Sequence, residues 1–243
     1  MKAFVVFFLL FSITPIARAQ QKISKLTDNS VVKDSSGTVY PADVWKPLMF
    51  QGYSIKPVEP SNPNTEFIIY RLSEDQKAQR LSKMPRPKES AYFKTGEKFS
   101  SFKTTDINGN KIDIKALEGK IIVLNFWFID CHPCRMEIPD LNNLVDSFKT
   151  NDKVVFIAIG LDNKASIQDF IKKLPFNYLI IDNGRFLANQ YRIMSYPTHV
   201  VIDQERKVYF HTSGLASNTV YWIRKCINEL LEKGENKTAL IEK

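Results

Sequence analysis

The chain has 243 residues, 44% of them hydrophobic and 25% charged, the proportions of a globular protein with room for one good-sized domain and an extension. The formal net charge of +8 is spread along the chain without a dense Lys/Arg block, which argues against a nucleic-acid footprint. Nine Gly and twelve Pro exclude a low-complexity chain, and three Cys are too few for a disulfide-stapled scaffold.

Residues 1–19 read as a secretory signal peptide. Lys2 is the positive start, residues 3–11 are the apolar core, and Ala17-Arg18-Ala19 is a small-x-small cleavage pattern before Gln20. The stretch is too short to span a bilayer, and no later segment is apolar enough to do so. The expectation is an exported, soluble protein, periplasmic in a Gram-negative cell. Removing Lys2 and Arg18 lowers the net charge from +8 to +6. No nucleic-acid partner is expected.

Residues 20–90 form a first region without an evident function. Turn signals at 34–37 and 59–64 separate short apolar pieces at 44–53 and 66–70, the second a credible strand. Residues 74–83 are polar and read as a short helix. Met84-Pro85-Arg86-Pro87 reads as a linker, since two prolines fit neither a helix interior nor a central strand. The region is either a small β-rich module or a decoration packed on the main domain.

Residues 91–235 read as one α/β domain, with 236–243 as a tail. Residues 99–105 and 111–114 flank Asn108-Gly109, a hairpin signal. Residues 121–129 are an apolar run, read as a buried central strand. A helix over 131–148 with Pro139 inside it, a strand at 154–161 and a helix at 165–174 come after it. A strand at 177–182, a short helix at 184–190 and strands at 198–202 and 207–211 come next. A closing helix over 217–233 takes Ser217 as its cap. Strands alternating with helices predict a mixed, partly parallel sheet covered on both faces.

The chemistry lies at the junction of the apolar run and the helix, Cys131-His132-Pro133-Cys134. A disulfide ring so small barely restricts the unfolded chain, so redox use explains it better than stapling. Cys131 at the helix start is the expected nucleophile, because free N–H groups and the helix dipole favour its thiolate. Cys134, one turn in, is the expected resolver, and Pro133 stiffens the ring. His132 either adds positive charge beside the thiolate or is an exposed spacer, and Asp130 opposes the thiolate. Glu137 follows Cys134 by three residues, which fits a solvated helical Glu or an acceptor for the Cys134 proton. Tyr196-Pro197 opens the strand at 198–202, as an ordinary trans bond or as a cis bond in a tight turn that pairs with an incoming peptide. Cys226 shares a helical face with Ile223, Ile227 and Leu230 and reads as an inert core thiol.

Asn125-Phe126-Trp127 with Cys131-His132-Pro133-Cys134-Arg135, Glu137, Pro139 and the late Tyr196-Pro197-Thr198 resembles the TlpA/ResA-like thiol-disulfide oxidoreductases of the thioredoxin superfamily. The resemblance covers residues 94–233 and implies a thioredoxin-like fold with an N-terminal β-hairpin. It implies a cis Pro197 facing Cys131 and a buried Glu137 that assists proton transfer in place of the Asp that thioredoxin carries where this chain has Asn125. Tyr196 and Trp127 are the implied substrate-binding residues. The implied activity is reduction of protein disulfides, without a cofactor. Its substrate would be an exported disulfide protein such as an apocytochrome c, and its reductant a membrane electron-transfer protein. Asp130 departs from the large apolar residue the family has before its first Cys. A copper-handling protein using Cys131, Cys134 and His199, and a peroxiredoxin-like thiol peroxidase, are the competing readings.

Overall fold

The computed structural model describes residues 24–241, with side chains through residue 236. The signal-peptide reading of residues 1–19 lies outside the described residues. The chain forms two compact units that divide between Arg71 and Leu72.

The first unit contains β1 (Val32–Lys33), α1 (Ala42–Phe50), β2 (Tyr53–Pro57) and β3 (Phe67–Arg71). The strands make one sheet in the order β1-β3-β2, with β1 parallel and β2 antiparallel to β3. Val32, Trp45, Phe67 and Ile69 form its buried core. The apolar piece at 44–53 is thus mostly helical. Trp45, Leu48 and Met49 recur at the spacing of one helical face and meet the sheet there.

The second unit opens with α2 (Glu74–Ser82), whose Ser73 and Gln76 form a reciprocal capping box. The Pro-rich stretch expected as a linker is anchored within this unit. Asn218 donates its amide N–H to the Pro85 carbonyl at 2.8 Å, and Thr212 donates its hydroxyl to the Lys88 carbonyl at 2.8 Å. The Arg86 guanidinium stacks over Phe210 and Trp222.

A hairpin of β4 (Lys103–Thr105) and β5 (Lys111–Asp113) follows, closed by Asp106, whose carboxylate accepts the N–H groups of Asn108 and Asn110. Then come β6 (Ile121–Trp127), α3 (His132–Phe148), β7 (Val154–Gly160), α4 (Lys164–Lys173) and β8 (Leu179–Ile181). The chain finishes with α5 (Arg185–Gln190), β9 (Thr198–Ile202), β10 (Val208–Ser213) and α6 (Thr219–Ile241). The sheet order is β10-β9-β6-β7-β8, with β6, β7 and β8 parallel and β9 antiparallel to both β6 and β10.

Every residue of β6 is buried, as expected of a central strand covered on both faces. Its side chains alternate between two apolar layers. Val123 and Trp127 join Ile138, Leu141 and Leu144 of α3 and Ile223 and Ile227 of α6. Ile122, Leu124 and Phe126 join Phe99, Phe102, Ile114 and Tyr191 on the other side. The mixed α/β sandwich with an N-terminal hairpin is the predicted thioredoxin-like architecture. The closing helix starts two residues later than predicted and continues to Ile241. Ser217 is not its cap, because its hydroxyl is turned to the Met84 sulfur at 3.7 Å. Among the described residues no helix is long and apolar enough to cross a membrane.

Candidate active site

The β6 strand delivers the chain to the site and then has to release it. Its last link is the Leu161 N–H donated to the Trp127 carbonyl at 3.1 Å. The next turn is pinned from β7's exit, where the Asp162 carboxylate accepts the Ile129 N–H at 2.7 Å. Cys131 then occupies the N-cap of α3, and its sulfur accepts the Cys134 N–H at 3.2 Å. A sulfur in that position meets the free N–H groups and the positive end of the helix dipole, so a thiolate there is favoured. Pro133 lies in the first helical turn, where its missing N–H costs no intrahelical bond.

Cys131 and Cys134 are joined as a disulfide and are 4% and 3% exposed. Asp130 and His132, on either side of Cys131, are both exposed, so water screens their opposite effects on the sulfur.

Glu137, one turn after Cys134, is 5% exposed and is not a solvated helical Glu. Its Oε2 lies 2.8 Å from His199 Nε2, and its Oε1 is buried without a hydrogen-bond partner. His199 is fully buried in β9. The antiparallel register places it directly opposite Asn125 of β6, on the face that α3 and α6 cover. The Asn125 amide nitrogen lies 3.1 Å from His199 Nδ1. Three elements thereby bring Asn125, His199 and Glu137 into one buried polar row. Tyr178, also buried, has its pKa pushed up by burial and by the nearby Glu137 charge.

The Tyr196–Pro197 peptide bond is cis. Pro197 precedes β9, whose Thr198 pairs with Phe126 next to the end of β6, so its turn and the Cys131 junction share one edge of the sheet. The Phe128 and Tyr196 rings meet edge to face at 5.4 Å across that edge. Tyr196 is half-buried, and burial raises its pKa. Trp127 is the other residue that the resemblance implies for substrate binding. It is fully buried and packs against Phe170 and Phe176, because the strand alternation turns it into the α3 layer.

Two contributors escaped the sequence reading. Asp162 stands in the sequence at the end of the apolar strand at 154–161, and no local spacing marks its bond to Ile129. His199 enters the sequence reading only as a soft metal ligand of the copper alternative, and its contacts with Glu137 and Asn125 come from the fold. Among the described residues no three His, Cys, Asp or Glu side chains are grouped to hold a metal ion.

A five-stranded mixed sheet that presents a Cys-X-X-Cys disulfide at a helix N-terminus, beside a cis-proline turn, defines a protein of the thioredoxin-like fold. Residues 95–211, just under half of the chain, match the AhpC/TSA family model. Among curated relatives, a thiol-disulfide oxidoreductase ResA of Bacillus cereus is 34% identical over 115 residues, which span 46% of this chain and 66% of that protein. ResA of Bacillus subtilis (strain 168) is 31% identical over 115 residues, covering 46% of this chain and 64% of that protein. The matched segment thus falls just short of two thirds of these relatives' own length. A candidate protein disulfide isomerase from Bacteroides thetaiotaomicron superposes with a TM-score of 0.54 at 23% identity, over 63% of this chain and 99% of that one. A candidate thiol:disulfide interchange protein DsbE from Chlorobium tepidum gives 0.52 at 21% identity, over 57% and 99%. These two likenesses establish the fold alone.

Proposed function

We propose that this protein is an exported thiol-disulfide oxidoreductase that reduces disulfides of other exported proteins. The observation that carries the reading is the Cys131–Cys134 disulfide capping α3, with the buried Glu137 carboxylate one helical turn further on.

In the reduced protein the Cys131 thiolate attacks one sulfur of a substrate disulfide. A new S–S bond forms, the substrate's own S–S bond breaks, and the departing thiolate takes a proton from water. Cys134 then passes its proton to the Glu137 carboxylate and attacks Cys131 Sγ as a thiolate. The Cys131–Cys134 bond forms and the second substrate sulfur leaves with the electron pair. Two electrons have moved from the dithiol to the substrate. A membrane electron-transfer protein restores the dithiol. Tyr196 and the Pro197 turn bind the incoming peptide, His132 and Asp130 tune the potential, and Pro133 holds the ring. The substrate class is an exported protein disulfide, with the oxidised Cys pair of an apocytochrome c as one candidate.

Insulin-disulfide reduction by the dithiothreitol-reduced protein tests the reading. Activity is expected in the parent and absent in Cys131→Ser; equal activity in both removes the proposal. Rapid peroxide consumption by the reduced protein would favour the peroxidase reading. Stoichiometric Cu(I) binding without disulfide reduction would favour the copper reading.

A further inference from the structure

We propose that His199 is a positioning residue for the resolving step, delivering an Nε2–H to Glu137 Oε2 so that Oε1 stays free to receive the Cys134 proton. This rests on the oxidoreductase reading above and adds to it a residue from the opposite side of the core.

The two oxygens of Glu137 are in different situations. Oε2 is 2.8 Å from His199 Nε2, whereas Oε1 is buried and has no partner. A buried carboxylate oxygen without a partner is costly, more so than the neutral hydroxyl and indole groups left unpaired elsewhere in the core, and calls for an explanation. Here the free oxygen belongs to a side chain one turn beyond Cys134 on α3. The bonded oxygen decides the orientation of the free one.

His199 is oriented in turn. The Asn125 amide nitrogen is 3.1 Å from Nδ1 and 3.4 Å from Nε2; donation to the nearer Nδ1 puts the ring proton on Nε2, the nitrogen that faces the Glu137 carboxylate at 2.8 Å. The register pair Asn125–His199 fixes this geometry through the backbone of β6 and β9. An Asp at position 125 would turn the donor into an acceptor and favour the opposite tautomer, so Asn125, His199 and Glu137 form a consistent set.

The surroundings contain few other groups that could set the charge of this row. Cys134 and Glu137 come from α3, Cys226 comes from α6, and Tyr178 precedes β8, all in the same apolar layer. Thr212 of β10 is His199's partner on the other side and is uncharged. His211 points into the opposite layer, being paired with Val200 rather than His199. Among the described residues no Lys or Arg side chain is buried. The imidazole is therefore the hydrogen-bond donor that holds the Glu137 carboxylate in place.

Resolution of a mixed disulfide preformed between Cys131 and thionitrobenzoate reads this role directly, by stopped-flow release of the chromophore between pH 5 and 9. In His199→Phe the half-maximal pH of resolution moves upward and the rate at pH 7 falls about tenfold, the scale of one lost hydrogen bond to a charged group. His199→Gln, which can donate an amide N–H to Oε2, restores most of the rate. Glu137→Gln combined with His199→Phe is no slower than Glu137→Gln alone. Attack by Cys131, followed in a Cys134→Ala background, is unchanged by His199→Phe. A folded His199→Phe protein with the parental pH profile, or additive losses in the double variant, overturns the proposal. Failure of the parent to reduce insulin overturns the oxidoreductase reading instead, so the two failures are distinguishable.

Discussion

Replacing Asp162 with Ala isolates the contact that holds the chain between β6 and Cys131. In the folded protein its carboxylate accepts the Ile129 N–H at 2.7 Å, and both residues are half-buried. A hydrogen bond to a charged group is worth about 1.5–3 kcal/mol net, and partial exposure puts this one at the lower end, ~1.5 kcal/mol. Such a loss corresponds to about a tenfold rise in the opening of the Ile129 amide. Asp162 is itself held by the Asn183 N–H donated to its carbonyl at 2.8 Å, a bond the substitution leaves intact. Amide hydrogen exchange of the oxidised protein therefore gives an internal control. Ile129 is expected to exchange about tenfold faster in Asp162→Ala, and roughly threefold faster in Asp162→Asn, which keeps an acceptor without the charge. Asn183 is expected to keep its protection. Unchanged exchange at Ile129, or equal deprotection of Ile129 and Asn183, would refute the idea that this carboxylate pins the approach to the redox cysteine.

Three other outcomes rest on the packing. A Cβ on Gly184 would lie 2.4 Å from Ile159 Cγ2 and 2.9 Å from the Gly160 carbonyl oxygen, so Gly184→Ala is expected to cost ~1–3 kcal/mol in urea unfolding, and a loss under about 0.5 kcal/mol would contradict this close approach. Burial pushes the Cys226 thiol up to about 12. In a Cys131→Ser, Cys134→Ser protein, iodoacetamide at pH 8 should leave the folded chain unmodified and label it once in urea; labelling of the folded chain would show an accessible thiolate. His211 is buried, with Nδ1 accepting the Ser90 N–H at 3.1 Å, and burial holds its pKa below the ordinary 6.5, opposed by Glu89 and assisted by Arg86. The unfolded chain therefore binds a proton first as pH falls, so this group's contribution is complete above pH 6.5 and is lost as pH drops toward the folded-state value. Urea midpoints at pH 7.5 and 5.0 should fall less in His211→Gln than in the parent, and an equal fall in both would count against the assignment.

The chain's order of elements was largely legible before folding, because local pattern carries it. An apolar run bounded by polar residues has few fates other than a covered strand, and β6 is buried at every position. Cys131 at the head of a helix follows from Pro133 and the periodicity after it, and Cys226 follows from its position on an apolar helical stripe. Local pattern was insufficient where the partner lies far along the chain. Residues 84–87 look like a linker on composition, yet the Pro85 and Lys88 carbonyls and Ser90 are bound by Asn218, Thr212 and His211, far along the sequence. The family resemblance implies a docking role for Trp127. Period-two alternation in β6 decides that it points into the core with Phe170 and Phe176.

The sequence by itself determined the dithiol, the helix that carries it, and the residue one turn later with a carboxylate to offer. Only the tertiary structure decided what that carboxylate faces. The antiparallel pairing of β6 with β9 sets Asn125 opposite His199, and α3 crossing that face brings Glu137 onto the imidazole. Side-chain hydrogen bonds between residues 62 and 74 positions apart depend on strand register and helix docking, which a one-residue slip would reverse, and no local spacing encodes them.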